Sequence, residues 1–144
     1  MTLVDAFYIR CAAQSAITDL VSTRIYRTKR PQNTALPALV YLKTGGKDET
    51  HQSGGTTLAR ARLLVECWAS TPSGAEALRD AVRDAWHTFA GTITSGGQTV
   101  TVLRAELEDD GENDSPPQDA SDQASFLAEM DLSIWYRVTA AAPT

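Results

Sequence analysis

Side chains able to do chemistry are few in this chain of 144 residues, and their spacing matches no catalytic motif. The histidines are His51, inside a glycine-rich polar segment, and His87, beside Trp86. No second His or Cys stands at the spacing of a zinc site. Neither a G-x-S-x-G turn, nor a P-loop, nor a G-x-G-x-x-G sequence occurs. We therefore predict a protein that is not an enzyme, with no catalytic residue, no cofactor and no metal site.

The cysteines, Cys11 and Cys67, lie far apart in the chain and form no C-x-x-C pair. Each falls on the apolar side of the element that is predicted to carry it. We therefore expect two buried, reduced thiols that pack as small apolar side chains.

The densest group of possible ligands is acidic. Of the 18 acidic residues, 8 fall within residues 106–122, which contain no Lys or Arg. An EF-hand-like register starting at Glu106 would put Pro117 at the twelfth position, where a bidentate glutamate is needed. Residues 108–124 are therefore interpreted as a solvated acidic loop, with a structural calcium site as the alternative. The members expected to face a lumen or a partner are Glu108, Asp109, Asp110, Glu112 and Asp114.

The periodicity of apolar residues predicts the elements that position these groups. A cap at Thr2 begins a helix over residues 3–21, and a cap at Thr71 or Ser73 begins a second helix that runs to about Phe89. Strict alternation over residues 126–138 predicts a half-buried antiparallel strand. Three further strands are expected over residues 36–43, 58–69 and 99–108, and the change of face of the apolar residues in the last indicates a bulge or an edge position. We therefore predict an α+β fold, a mostly antiparallel sheet of about four strands with two helices packed on one face.

A glycine-rich segment separates two of these strands. Residues 44–57 contain no apolar side chain and two Gly-Gly pairs, so a long, mobile hairpin tip is expected. The tip and the acidic loop should protrude from a single domain over residues 1–139, followed by a tail over residues 140–144. The charged residues of the tip that are candidates for partner contact are Lys47, Asp48, Glu49 and His51.

The sheet face away from the helices is predicted to be polar, yet it holds two tryptophans. Exposed tryptophan among charges is typical of an interface, and the alternative is that the chain's own loops cover these rings. The residues proposed for contact on this face are Arg60, Arg62, Trp68, Trp135 and Arg137.

The order of elements resembles the tail completion, or tail terminator, proteins of bacteriophages with long non-contractile tails. Five phrases carry the resemblance, and together they cover nearly the whole chain: the N-terminal helix with Arg24-Ile25-Tyr26 after it, the strand Leu36-Pro37-Ala38-Leu39-Val40-Tyr41, the phrase Val65-Glu66-Cys67-Trp68-Ala69-Ser70, the helix over residues 75–89, and the strand Met130-Asp131-Leu132-Ser133-Ile134-Trp135-Tyr136. The acidic insert and the glycine-rich tip depart from the family pattern.

The resemblance implies a structural virion protein rather than a catalyst. It would form a ring, usually of six copies, that ends tail growth and offers a docking face for the head–tail connector protein. Its partners would be further copies of itself, the tail tube protein and the connector, with DNA only as passing cargo. No apolar stretch approaches the ~18 residues that span a bilayer, so no membrane contact is expected. The location would be the head-proximal end of the tail, after assembly in the host cytoplasm.

Two alternatives remain at this point. The chain could be another head–tail connector or adaptor component of a virion with a similar fold. A small ligand-binding or metal-binding α+β domain is the other alternative, and it would need a pocket with convergent polar groups.

Overall fold

Three helices and six strands make up the described part of the chain. The computed structural model describes residues 2–31, 34–50, 57–115 and 125–139. In chain order the elements are α1 (Leu3–Ala13), α2 (Ser15–Val21), β1 (Ile25–Arg27), β2 (Ala38–Thr50), β3 (Thr57–Ala69), α3 (Pro72–Trp86), β4 (Gly91–Ser95), β5 (Gln98–Ser115) and β6 (Ser125–Thr139). The strands form one sheet in the order β1-β2-β3-β6-β5-β4, in which β1 runs parallel to β2 and every other pairing is antiparallel.

The fold is α+β, as predicted, but the predicted four strands and two helices are corrected to six and three. The strands that the periodicity missed are β1 and β4, of 3 and 5 residues. Alternation is hard to detect in so few residues, and both strands pair at the edges of the sheet.

The first predicted helix is in fact two helices. A capping box of Thr2 and Asp5 begins α1, as expected, but Gln14 is extended (φ −95°, ψ 114°) and separates α1 from α2. Cys11 and Ile17 are both buried. Six residues apart, they would lie about 120° apart around one straight helix. The break at Gln14 allows both side chains to reach the same core.

Of the two predicted caps of α3, Thr71 is the one observed, and the predicted end of the helix is corrected. The Thr71 hydroxyl oxygen accepts a hydrogen bond from the Gly74 backbone N–H at 3.0 Å, and Pro72 follows it in the first turn. The helix ends at Trp86 rather than near Phe89. The apolar stripe of α3 is buried, and its members are Ala75, Leu78, Val82, Ala85 and Trp86.

The core lies between the helices and one face of the sheet. The alternation predicted for β6 is confirmed on this face, where Ala128, Met130, Leu132, Ile134 and Tyr136 are buried. The matching residues of β3 are also buried, namely Ala59, Ala61, Leu63, Val65, Cys67 and Ala69. Both cysteines are free and buried, as expected.

A bulge in β5 explains its change of face. The register shifts between Val102 and Arg104, so Leu103 is the extra residue and is 41% exposed. Val100 and Ala105 consequently both reach the core although they differ in parity. The bulge predicted from the sequence is thus confirmed.

The described parts of the two segments predicted to be loops are strand. β2 continues through Lys47, Asp48 and Glu49 until Thr50 pairs with Thr57. β5 likewise continues through Glu108, Asp109, Asp110, Glu112 and Asp114 until Ser115 pairs with Ser125. Both segments are polar. They nevertheless form strands because the neighbouring strands β3 and β6, which alternate strictly between apolar and polar residues, supply backbone hydrogen bonds. Such bonds do not require apolar side chains. Of the predicted tip and acidic loop, His51 with the rest of residues 51–56, and residues 116–124, lie outside the described residues.

The ends of the two long hairpins are at opposite ends of the sheet. Thr50 and Thr57 mark the end of the β2–β3 ladder, near the level at which Ala59 pairs with Tyr136. Ser115 and Ser125 mark the end of the β5–β6 ladder, next to the Ala69 and Phe126 pair. Twelve residue steps along β3 separate the two levels, which is about 40 Å at ~3.3 Å per residue.

Candidate interaction face

The sheet side turned away from the helices is called the outer face here. Its residues alternate with the core residues of β3, β6 and β5 and meet in rows across the strands. Arg60 on β3 is opposite Trp135 on β6, and Trp135 is opposite Arg104 on β5. In the next row, Arg62 is opposite Ser133, which is opposite Glu106. The pairing therefore brings predicted site residues from distant parts of the sequence into contact.

Trp135 lies between two arginines. The guanidinium carbon of Arg60 is 5.1 Å from the ring centroid, and that of Arg104 is 5.3 Å away. Each cation–π contact contributes about 0.5–1 kcal/mol at an exposed site. The ring is half-buried, so it holds the aliphatic and guanidinium parts of its neighbours against the sheet.

Carboxylates on the same strands neutralise these arginines. Arg60 Nη2 donates to Glu108 Oε1 at 3.2 Å and to the Ser133 hydroxyl at 3.3 Å. Arg104 donates to Glu106 two residues along β5. Arg62 is more weakly held, since its Nη2 is 3.9 Å from Asp131 Oδ2. The outer face is therefore a network of both signs of charge rather than a basic patch.

Arg137 occupies the row next to Arg60 and is opposite Thr101 of β5. Its Nε is buried and has no hydrogen-bond partner within the part of the chain that the structure describes. A buried unpaired donor costs about 1–3 kcal/mol.

Trp68 is covered partly by the chain itself. The guanidinium carbon of Arg30, from the segment after β1, lies 4.8 Å from the Trp68 ring centroid. Ala38 and Leu127 flank Trp68 in its row and are buried. This geometry agrees with the alternative in which the chain's own segments cover a tryptophan, since Arg30 lies outside the strands, whereas the arginines against Trp135 belong to β3 and β5.

Two carboxylates are opposite each other at the centre of the outer face. Glu66 of β3 pairs directly with Glu129 of β6. Burial raises the pKa of Glu66 above its ordinary value, and the charge of Glu129 raises it further. Opposed like charges are unfavourable on neighbouring strands. Trp68 and Arg30 act in the other direction and lower the pKa of Glu66.

Sequence reasoning missed three members of this face, namely Arg30, Arg104 and Glu106. Arg104 and Glu106 are two residues apart and so share a face, which is a detectable signal. The bulge at Leu103 concealed which face that is. Arg30 reaches the sheet only through a turn, and no periodicity predicts such a contact.

The predicted charged residues of the hairpin segments lie on two long strands. Lys47, Asp48 and Glu49 are placed by their backbone in β2, and Asp109, Asp110, Glu112 and Asp114 by theirs in β5. Glu108 is the member whose side chain is seen to bind, through Arg60.

Among the described residues, no group of three or more His, Cys, Asp or Glu side chains is placed to hold a metal ion. No described helix is long and apolar enough to cross a membrane. Burial raises the pKa of the Cys11 thiol to about 12, and burial also raises the pKa of Cys67. Neither sulfur is therefore a nucleophile at neutral pH.

Comparison with known proteins adds a family and a fold. A family model described as tail completion protein gp17 matches residues 5–137. A chain of a solved structure titled "Virion of native gene transfer agent (GTA) particle" is similar in fold, with a TM-score of 0.63 and 20% sequence identity. The alignment covers 94% of this chain and 93% of that chain. No curated protein sequence matches the chain.

Proposed function

Because the chain belongs to the family of tail completion protein gp17, we propose that it forms a ring, of six copies, that ends the tail tube at its head-proximal end. The family predicted from the sequence is confirmed, and with it a structural role in a phage-like virion tail. The match over residues 5–137 is the observation that carries the proposal, because it includes every described element from α1 to most of β6.

The arrangement of the sheet supports a position between two partners. The β2–β3 and β5–β6 ladders end at opposite ends of the sheet, about 40 Å apart. In a ring, one end would meet the tail tube protein and the other the head–tail connector. The two ends differ in charge. The strand that leads to the first end includes Lys47, whereas the residues that lead to the second end are Glu112, Asn113, Asp114 and Ser115, with no basic residue.

The outer face supports contact with a partner of mixed charge. Arg62 is held by an ion pair of 3.9 Å with Asp131, and its side chain is 49% exposed. Its guanidinium would gain from a carboxylate of a tube or connector subunit. The proposed role is binding and not catalysis, with assembly in the host cytoplasm before the head is joined.

Acidic residues of β5 support a lumen through which DNA passes. Asp109, Asp110, Glu112 and Asp114 follow one another on one strand with no basic residue between them. A wall of negative charge repels phosphates, so passing DNA would not adhere to it.

The decisive experiment combines mass measurement with tube growth. Light scattering coupled to size exclusion, over a concentration series and with purified tail tubes, should reveal a species of six subunits that negative stain shows as rings. Added to polymerising tube protein, the ring should fix tube length and be seen at one end. If the protein leaves tube length unchanged and binds the head connector instead, the head–tail adaptor alternative replaces this proposal.

A further inference from the structure

Two strand edges of the sheet are open in the described part of the chain. β1 pairs with β2 at Leu39–Tyr41, so from Leu42 to Thr50 the strand has a described neighbour on one side. β4 pairs with β5 over residues 98–102. Farther along the same edge, the Ala105 carbonyl accepts a hydrogen bond from the Thr88 N–H, and the Leu107 N–H donates to His87 Nδ1. Residues 108–115 then have a described neighbour on one side. Such edges present rows of backbone donors and acceptors that template further strands.

The two open edges differ in charge. The open segment of β5, Glu108 to Ser115, contains five acidic residues and no basic one. The open segment of β2 contains Lys43 and Lys47 besides Asp48 and Glu49. Pairing of two β5 edges would place like charges opposite each other, which is unfavourable. Pairing of a β5 edge with a β2 edge brings lysines to the acidic strand.

The strand directions permit this pairing in a ring. β2, β3, β6 and β5 alternate in direction, so β5 runs antiparallel to β2. When a second copy is placed beside the first with its sheet in the same sense, its β2 therefore meets β5 of the first copy as an antiparallel ladder. The contact uses two different surfaces, and such a contact closes into a ring when the rotation between copies permits it.

The covered parts of the edges set the offset between copies. β1 covers the beginning of β2, and β4 covers the beginning of β5, so the open halves lie at opposite ends of the sheet. Bringing them together requires a shift along the strands of about six residues, or ~20 Å. A ring of offset strands closes when the strands tilt against its axis, as in a barrel.

We propose that neighbouring copies in the ring join through an antiparallel ladder between the open edge of β2 and the open edge of β5. This inference rests on the proposed ring and adds which edges build it. The partner is a second copy of this chain, and the contact consists mainly of backbone hydrogen bonds, supported by lysine–carboxylate attraction.

The alternation of hydrogen bonds identifies where to interrupt the ladder. The N–H of Leu39 donates to the Arg24 carbonyl and therefore points away from β3. N–H groups alternate in direction along a strand, and the register shift after Lys43 inverts this alternation once, so the N–H of Asp48 also points away from β3. On β5, the Ala105 carbonyl accepts from Thr88, and counting through the shift after Leu107 directs the N–H of Glu112 outwards. Proline at either position removes a donor that the chain itself does not use.

The test uses Asp48→Pro and Glu112→Pro, with Asp48→Ala and Glu112→Gln as matched controls. Circular dichroism and thermal melting establish that each variant folds. Light scattering, with and without tail tubes, should then find rings for the wild type and both controls, and monomers for both proline variants. An equimolar mixture of the two proline variants should form a heterodimer and stop there, because it retains one intact β2 edge and one intact β5 edge.

The outcomes separate this inference from the proposed ring. Rings formed by folded proline variants overturn the ladder and leave the ring standing. Dimers of Glu112→Pro alone overturn it in favour of pairing between two β2 edges. A wild-type chain that stays monomeric even at tube ends overturns the ring and the ladder together.

Discussion

The guanidinium carbon of Arg60 lies 5.1 Å from the ring centroid of Trp135, on the neighbouring strand. Arg60 also donates to Glu108 and Ser133, so one side chain joins β3, β6 and β5 on the outer face. The contact depends on long-range pairing, since 75 positions separate the two residues in the numbering yet the register makes them opposite each other. The outer face is therefore part of what stabilises the chain, besides being the surface proposed for contact with partners.

Substitution of Arg60 and Arg62 should separate these two roles. Arg60→Met should lower the free energy of unfolding by about 1–2 kcal/mol, because it removes a cation–π contact and leaves Ser133 and Glu108 without their described donor. Arg62→Met should change it by no more than about 0.5 kcal/mol, since an exposed pair at 3.9 Å contributes little. Urea unfolding measures both.

Tail-tube capture gives the complementary measurement. Arg62→Met should weaken capture of tubes while the chain keeps its stability. Equal losses of stability for the two variants would contradict the central position assigned to Arg60.

Truncation of Trp135 should destabilise the sheet. Trp135→Ala removes a half-buried ring and both of its arginine contacts, so we expect a loss of about 2–3 kcal/mol. Trp135→Phe keeps an aromatic face between Arg60 and Arg104 and should lose less than half as much. Thermal and urea unfolding of both variants would check the order, and an alanine variant as stable as the phenylalanine variant would show that the ring is not held by its neighbours.

Replacement of Glu66 should change how stability depends on pH. Burial and Glu129 raise the pKa of Glu66 above its ordinary value of 4.5, so the folded chain binds a proton more tightly than the unfolded chain. Glu66 therefore makes the folded state less stable as pH rises from about 4.5 through its folded pKa. Glu66→Gln should raise the melting temperature at pH 7, and this gain should fade below pH 4.5.

A matched control for Glu66→Gln is Asp19→Asn, an exposed carboxylate on α2. It should leave the melting temperature at pH 7 close to that of the wild type, because it removes an exposed charge that is not opposite Glu129. A gain from Glu66→Gln that persists undiminished at pH 3.5 would contradict titration as its cause.

Both thiols should be inert in the folded chain. The Trp86 indole N–H donates to Cys11 Sγ at 3.4 Å, but burial dominates and raises the pKa of Cys11 to about 12. Cys67 is equally buried. Alkylation by iodoacetamide at pH 8 should be on the order of 10³-fold slower than for free cysteine. Denaturant should expose both sulfurs, and rapid labelling of either one in the native chain would contradict the described core.

Neutralising the acidic strand should slow the passage of DNA. Asp109→Asn, Asp110→Asn, Glu112→Gln and Asp114→Asn together remove the negative charges that are proposed to face the lumen. Rings are first verified by negative stain, and DNA ejection from assembled particles is then timed. Unchanged ejection from particles with intact rings would remove the acidic lumen from the proposal.

Much of the core architecture is predictable from local patterns. Alternation over β6 identified its core face, the cap at Thr71 located the start of α3, and the change of face around Leu103 indicated a bulge. These features are predictable because each depends on neighbouring residues and on one burial direction. The family resemblance follows from the same elements in the same order.

The extent of β2 and β5, the break at Gln14 and the partners on the outer face were decided by tertiary structure. Polar residues such as Lys47 and Asn113 become strand because β3 and β6 present backbone donors and acceptors to them, which a local pattern does not reveal. Arg60, Trp135 and Arg104 meet because the register of three strands aligns them. The sequence by itself therefore determined the class of fold and its core, through periodic burial. Long-range pairing alone decided which charges neutralise one another and which edges stay open, since these depend on residues that are far apart in the chain.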